Sequence, residues 1–395
     1  MTAHPAGSID PFELDRPGAV ALLEELGEPA YRGRQVHDWI VRGVDDASLM
    51  TDLPASLRGR LEERFAPTRP ELVRHQVVDD GETHKLLLRL PDGESVETVL
   101  MLYPRRRGSA ARATVCVSTQ AGCAMGCPFC ATGQAGFRRQ LTSGEIVRQV
   151  AVAAATVRAT AGDDARRGGR PRHVTNVVFM GMGEPLANLA ATERAVRWLH
   201  DPEGMRLSAR AITVSTVGIV PGIRRLAQLG LPITLAVSLH APDDALRDEL
   251  VPINRIHPLA ELLSATHEYR RMTRRRVTFE YVLIGDVNDS VDQAARLAEL
   301  VRDHRAHVNL IPLNPTPGVP QWREPSAARV RAFAATLARA GVGATVRDTK
   351  GRGADAACGQ LLADYHLDAG RRLPVARGAA ARVDALRAAS RAEAS

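Results

Sequence analysis

The spacing of apolar positions along the 395 residues changes character twice. Between residues 15 and 65, apolar side chains recur at intervals of three and four. Ala19-Val20, Leu22-Leu23 and Leu26 form one stripe that stops at Gly27; Val36, Trp39 and Ile40 form a second; Leu57, Leu61 and Phe65 a third. That spacing puts each set on one face of a short helix. From 71 to 103 the texture becomes strand-like. Leu86-Leu87-Leu88 runs into Pro91-Asp92-Gly93, a turn sequence, and Val96–Leu102 follows. The first hundred or so residues therefore predict a small α+β accessory region.

From about residue 110, strand-like runs alternate with helical ones. The strands fall at Thr114–Ser118, Val174–Met180, Ala211–Ser215, Ile233–Leu239, Val277–Leu283, Val308–Pro312 and Gly343–Val346. Helical patterns lie between them at Ser143–Arg158, Ala190–Leu199 and Val291–Arg302. Repeated βα units predict an α/β fold, a parallel sheet flanked by helices. Periodicity leaves a partial barrel, a full barrel and an open doubly wound sheet equally open. In all three, function-bearing loops follow the carboxyl ends of the strands. The stretch 163–172, with Gly168-Gly169 and four arginines, reads as an exposed loop, and the tail beyond Arg371 is rich in Ala and Arg. The expected organisation is an accessory region over 1–108, a catalytic core over 109–353 and a C-terminal segment over 354–395.

Composition narrows the class. Apolar residues make up 45% and charged residues 25%, ordinary for a soluble globular protein. No uninterrupted apolar run is long enough to span a bilayer, and the N-terminal Met-Thr-Ala-His-Pro has no basic-then-apolar signal. Five cysteines, three of them in one loop, do not make a disulfide framework, so a reducing cytoplasm is expected. A net charge of +7 would suit RNA. The cations, however, are almost all arginine, with only Lys85 and Lys350 as lysines, which resembles GC-rich codon usage as much as phosphate binding. The clusters Arg105–Arg107, Arg138-Arg139 and Arg274–Arg276 could grip a phosphate backbone; singly, such clusters are more often solvated turns.

The densest chemistry lies in Cys123-Ala-Met-Gly-Cys127-Pro-Phe129-Cys130. A four-iron cubane normally takes four Cys ligands. Three thiolates on one loop leave one iron open, as catalytic metal centres do and structural ones do not. That iron could bind the amine and carboxylate of S-adenosylmethionine and pass it an electron. Cys116, seven residues upstream, could instead complete a four-cysteine zinc site, but zinc sites usually pair two well-separated knuckles. Other polar groups gather at predicted strand ends. Gly181-Met-Gly183-Glu184-Pro185 follows the second strand, Ser215 ends the third, Ser238-Leu239-His240 ends the fourth, and Asn314 follows the sixth. Any one alone reads as a loop residue; their common placement suggests a ligand. Cys116 alternates with Val115 and Val117 and so faces away from them, whereas Cys358 sits in a glycine-rich stretch that suits a mobile thiol.

Taken together, the cysteine loop, Val96-Glu97-Thr98-Val99, Cys116-Val-Ser-Thr-Gln-Ala-Gly-Cys123, Gly-Met-Gly183-Glu184-Pro, Ser238-Leu239-His240-Ala-Pro, Asn314-Pro and Asp355-Ala-Ala-Cys358-Gly-Gln resemble the RlmN family of the radical S-adenosylmethionine superfamily. The resemblance runs from about residue 12 to 365, with every motif in order. It implies a partial (β/α)6-type barrel with an N-terminal α+β region, and methylation of adenine carbon 2 in 23S ribosomal RNA and transfer RNA. It further implies a [4Fe-4S] cluster on Cys123, Cys127 and Cys130. Two molecules of S-adenosylmethionine per turnover would be held by Gly183, Glu184, Ser215, Ser238, Leu239, His240 and Asn314. By the same resemblance, Cys358 carries the methyl group, Glu97 accepts the ring proton, and Cys116 releases product through a transient disulfide. A reductase or flavodoxin-type electron donor and a monomeric state are expected. Bottom-up, Glu97 reads only as a buried or rim carboxylate on the face of Val99 and Met101. The related carbon-8 methyltransferases share both extra cysteines, so motif presence does not separate the two branches.

Overall fold

The computed structural model describes residues 8–105, 110–161, 171, 173–314, 316, 322–347 and 360. Helices α1 (Arg16–Glu25), α2 (Ala30–Val41) and α3 (Ala55–Arg64) precede strands β1 (Glu71–Val78), β2 (Thr83–Arg89), β3 (Ser95–Tyr103) and β4 (Arg112–Cys116). A two-stranded sheet of β5 (Gln120–Gly122) and β6 (Phe137–Gln140) encloses helix α4 (Ala131–Ala135). Then follow α5 (Ser143–Ala161), β7 (Asn176–Phe179), α6 (Leu189–His200), β8 (Ile212–Thr216), α7 (Val220–Ala227) and β9 (Thr234–Ser238). The chain continues through α8 (Asp244–Leu250), α9 (Leu259–Thr273), β10 (Thr278–Leu283), α10 (Val291–Val301), β11 (His307–Pro312), α11 (Ala327–Arg339) and β12 (Gly343–Val346). All seven strands expected beyond residue 110 are present within a few residues of their expected ends. Two compact units result. One holds the described residues up to Thr119 with Gln140–Val178 and Ala190–Ile212; the other holds Gln120–Arg139, Phe179–Leu189 and the described residues from Thr213 onward.

In the first unit, β1 to β4 form an antiparallel meander and β7 joins β4 in parallel, with Cys116 opposite Val178. Helix α5 packs on β3 and β4, and two of its side chains explain the arrangement. Arg148 is buried, and its guanidinium reaches Asp10 at 2.7 Å and also Asp45 and Thr68, with the Phe12 ring 4.4 Å from its carbon. It thereby ties the helical N-terminal layer to α5. Gln149 does the same for the strands. Its Oε1 accepts from Thr98 Oγ1 and from the Ser118 amide, each at 2.8 Å, and its Nε2 donates to the Ser118 carbonyl at 2.9 Å.

The second unit is built on β8 to β12, each neighbouring pair parallel. Strands covered on both faces read as continuous apolar runs rather than alternating ones, as in Leu235-Ala236-Val237 and Tyr281-Val282-Leu283. At the carboxyl ends of these strands an apolar cluster gathers Val282, Ile284, Ile311 and Leu313 with Ala241, Leu246 and Leu250, and Cys127 and Phe129 belong to it. The cysteine loop is thus packed into the core at the end of the sheet where ligands bind in such folds.

Removing the Arg148 side chain strands Asp10 as a buried carboxylate, while Asp45 keeps Arg69 at 3.3 Å, and a broken buried pair typically costs ~3–5 kcal/mol. Arg148→Met should lower the chemical-denaturation midpoint strongly, whereas Arg224→Ala, which breaks the exposed Arg224–Glu268 pair, should hardly move it.

Candidate active site

The cysteine loop is held by its own backbone. Gly122 has φ +75°, and a Cβ there would overlap the Gly136 carbonyl. The two glycines pinch the loop at its base, where the Cys123 amide donates to the Gly136 carbonyl at 3.0 Å. Inside the loop, Cys130 N–H donates to the Cys127 carbonyl (3.2 Å), and Gln134 Nε2 donates to the Pro128 carbonyl (2.6 Å) and Thr316 Oγ1 (3.0 Å). A side chain at Gly133 would come within 2.9 Å of the Cys127 carbonyl oxygen. Glycine there lets α4 lie directly against the loop. The three thiols line a cavity of about 150 Å³. Burial pushes the Cys123 thiol up to about 12 and Cys127 well above the usual range, and the neighbouring sulfurs push in the same direction. Thiols in such a setting ionise only against a strong positive charge, which a bound metal centre provides. Among the described residues no three His, Cys, Asp or Glu side chains converge tightly enough for a single ion. Three cysteine thiols lining one cavity are the donor type that iron–sulfur clusters take.

Six of the seven strand-end residues expected to hold a cofactor line the same cavity: Gly183, Glu184, Ser215, Ser238, His240 and Asn314. Gly183 has φ +96°, and a Cβ would fall 2.5 Å from Gln120 Cβ, so only glycine fits between the strand end and Gln120. The Glu184 carboxylate accepts amides from Leu186 (2.9 Å) and Val217 (2.8 Å), while its own amide donates to Gln120 Oε1 (2.9 Å). Burial nevertheless raises this carboxyl to about 7. A ligand ammonium beside it would restore the charged form. Leu239 is not among the lining residues; it is fully buried, with its amide donating to the Glu280 carbonyl at 2.9 Å.

His240 shows how the site fixes a proton. Its backbone is left-handed, φ +63°. Asn288 holds that turn by donating to the His240 carbonyl (2.8 Å) and the Val282 carbonyl (2.6 Å), while its Oδ1 accepts from the Ile284 amide (2.7 Å). The Val282 amide donates to His240 Nδ1 at 3.1 Å. A backbone N–H can only donate, so Nδ1 carries no proton and Nε2 does. Burial, helped by Arg247, pushes the imidazole down to about 3, so it remains neutral. Phe129 packs edge-on against this ring with centroids 4.9 Å apart, which gives the loop's aromatic its role.

Sequence reasoning missed Arg247 entirely. In Ala-Leu-Arg247-Asp it looks like an exposed helix residue, yet it is fully buried. Its Nε donates to the Leu239 carbonyl (3.0 Å), Nη2 to the carbonyls of Val217 (2.6 Å) and Ser238 (3.1 Å), and Nη1 to Asn254 Oδ1 (2.6 Å). It binds the ends of β8 and β9 together from behind the cavity. Burial lowers it only to about 10, so it stays charged. Gln120 and Asn288 were also missed; both are polar residues with no local pattern to mark them.

Glu97 and Cys116 belong to the first unit. Glu97 is buried on β3, and its carbonyl accepts from Ser118 Oγ at 2.6 Å. Cys116, a buried thiol, lies directly opposite Val99. Cys358, like Arg106 and Arg107, lies outside the described residues. Arg274, Arg275 and Arg276 line a hollow of about 480 Å³ with His267, Arg270, Arg271 and Arg305. It sits at the turn from α9 into β10, the amino end of that strand, whereas the cysteine loop sits at the carboxyl ends.

Arg247→Met would take this donor from the carbonyls of Val217, Ser238 and Leu239, of which Leu239 keeps the Ala241 amide at 2.9 Å; each buried carbonyl left unpaired costs ~1–3 kcal/mol. The variant should unfold at lower denaturant, and its calorimetrically measured affinity for S-adenosylmethionine should fall at least about tenfold through loss of strand-end geometry.

Comparison with known proteins accounts for both regions. Residues 117–298 match the model of the radical SAM superfamily, and residues 9–66 match that of the ribosomal RNA large subunit methyltransferase N-terminal domain. A probable dual-specificity RNA methyltransferase RlmN of Parafrankia sp. (strain EAN1pec) is 53% identical over 357 residues, covering 89% of this chain and 91% of that one. The protein of the same description from Roseiflexus castenholzii is 48% identical over 402 residues, covering 91% and 98%. Among solved structures, a radical SAM methyltransferase from Sphaerobacter thermophilus superposes with a TM-score of 0.83 at 49% identity, covering 90% of this chain and 99% of that one. The α/β fold is therefore the partial barrel of radical SAM type with an N-terminal α+β region. With its cysteine loop and strand-end residues lining one cavity, the chain belongs to the RlmN family of dual-specificity radical SAM RNA methyltransferases.

Proposed function

We propose that this chain methylates carbon 2 of adenine in 23S ribosomal RNA and in transfer RNA, carrying the methyl group on Cys358 before transfer. The observation that carries this reading is the convergence of Cys123, Cys127 and Cys130 with Glu184, Ser215, Ser238, His240 and Asn314 on one cavity. The three thiols would hold a [4Fe-4S] cluster with one iron free of protein ligands. When bound there together, cluster and S-adenosylmethionine supply a 5′-deoxyadenosyl radical, able to take hydrogen from an unactivated carbon. The residues around the cavity bind and orient. Glu184 offers a carboxylate to an ammonium, His240 offers its Nε2 proton to an acceptor, and Ser215, Ser238 and Asn314 suit hydroxyl, carboxylate and amine groups of the ligand.

Carbon 2 of adenine is not a nucleophile, which is why a second thiol system is required. Cys358 takes a methyl group by displacement, as a good sulfur nucleophile can. After that carbon has joined the ring, Glu97 accepts the ring proton. Cys116 attacks Cys358, the product is freed, and a disulfide remains to be reduced. The target nucleotide has to leave any base stack to reach such a site. A reductase or flavodoxin-type protein supplies electrons, and the chain acts as a monomer in the cytoplasm. Among the described residues no helix is long and apolar enough to cross a membrane. The carbon-8 branch is not favoured, since the relatives at about half identity carry the dual-specificity description.

Methyl-trideuterated S-adenosylmethionine tests the route. Over several turnovers on 23S RNA, the product should be methylated at carbon 2, judged against standards, and retain two deuteriums in the methyl group. Retention of three would mean direct transfer and would remove Cys358 as carrier.

A further inference from the structure

The buried face that carries Glu97 and Cys116 holds a third chemical group. Along the meander, Lys85 on β2 lies opposite Val99 on β3, and Val99 lies opposite Cys116 on β4. Residues directly opposite one another share a face, as do residues two apart on a strand. Lys85, Glu97 and Cys116 therefore project from the same side of the sheet. Lys85 Nζ sits 3.1 Å from Glu97 Oε1, with the side chains 2% and 1% exposed. Helix α5 covers the other side, where Thr98 meets Gln149.

Two features make this pair hard to read as scaffolding. Buried ion pairs are weak stabilisers, and apolar residues of like volume commonly do as well or better. Leu86 and Leu88 on the same strand show that this sheet fills its interior with leucine readily. The choice of cation is also against the grain of the sequence. The chain contains fifty arginines and two lysines, and one of the two stands here. Arginine presents a rigid fork that matches both carboxylate oxygens at once; lysine is a compact point charge on a flexible stem. A lysine balances the charge of Glu97 from one oxygen without committing both to a fork.

We propose that Lys85 is a positioning residue for Glu97, holding its carboxylate oriented and charge-balanced so that it can take the proton from the adenine ring carbon. The inference rests on the reading of Glu97 as proton acceptor. In that step the ring C–H bond breaks, its electron pair stays with the ring, and the proton passes to the Glu97 carboxylate. Lys85 touches Glu97 and acts through it. Nothing in the preceding steps, methylation of Cys358 or joining of its carbon to the ring, calls on Lys85. Its removal should therefore stall the reaction at one place only.

The test uses the full-length, cluster-loaded protein with Lys85→Met, Lys85→Arg and Glu97→Gln beside wild type. Two readouts are followed: S-methylation of Cys358 by peptide mass, and covalent RNA–protein adduct on a denaturing gel. Both Lys85 variants should methylate Cys358 normally, accumulate adduct, and form methyladenosine about 10²-fold more slowly, the usual range for a general base. Lys85→Arg keeps the charge, so it is expected to fold even if Lys85→Met does not, and it should still stall. Wild-type product formation in Lys85→Arg or Lys85→Met overturns the proposal. Equal loss of Cys358 methylation and adduct in both also overturns it, since Lys85 would then serve folding alone. If Glu97→Gln itself turns over like wild type, the reading of Glu97 falls, and this inference with it. If Glu97→Gln stalls and the Lys85 variants do not, only the role of Lys85 falls.

Discussion

The cavity depends on one buried guanidinium. Arg247 gathers the carbonyls of Val217, Ser238 and Leu239, which belong to two successive strand ends, and anchors itself on Asn254. Parallel strands end in carbonyls that turn away from the sheet, and buried carbonyls need donors. A single side chain that satisfies three of them fixes the relative position of the loops after β8 and β9. At those strand ends stand Ser215, Ser238 and His240. Asn288 repeats the device one strand further on, holding the left-handed turn at His240 to the ends of β10. The groups expected to touch the cofactor are thus placed by groups that do not.

Electrostatics in the same cavity runs in one direction. Burial raises the Cys123 and Cys127 thiols and the Glu184 carboxyl, and it keeps His240 neutral. Each of the acidic groups would be stabilised in its charged form by a cation in the cavity. An iron cluster beside the thiols and an ammonium beside Glu184 meet that demand with chemically suitable partners. The first unit handles charge differently. Lys85 and Glu97 neutralise each other where no water reaches, on the sheet face that also carries Cys116.

Much of this was legible in the sequence because spacing is itself geometry. Three cysteines within eight residues must share a loop, and alternating βα patterns must place strand ends together. The seven strands were visible because they are short apolar runs bounded by turns. Helices α7, α8, α9 and α11 were not marked, since Pro221, Asp244 and Pro258 with flanking charge masked their apolar stripes. Arg247 was illegible for a physical reason: its burial depends on carbonyls from β8 and β9, and no local pattern encodes a partner thirty residues away. The Lys85–Glu97 pair hides similarly, since two strands paired in register carry it. Glu97 itself gained a role only through family resemblance, as did Leu239, which is fully buried and is not among the residues that line the cavity.

The central claim is that the cysteine loop and the strand ends bind one cluster and one S-adenosylmethionine together. Electron–nuclear double resonance on the reduced, reconstituted protein with S-adenosylmethionine labelled by ¹⁵N at the amine and ¹³C at the carboxylate tests it directly. The account predicts hyperfine coupling of both labels to the cluster, lost in Cys127→Ser. A reconstituted cluster that shows no coupling to either label would contradict it.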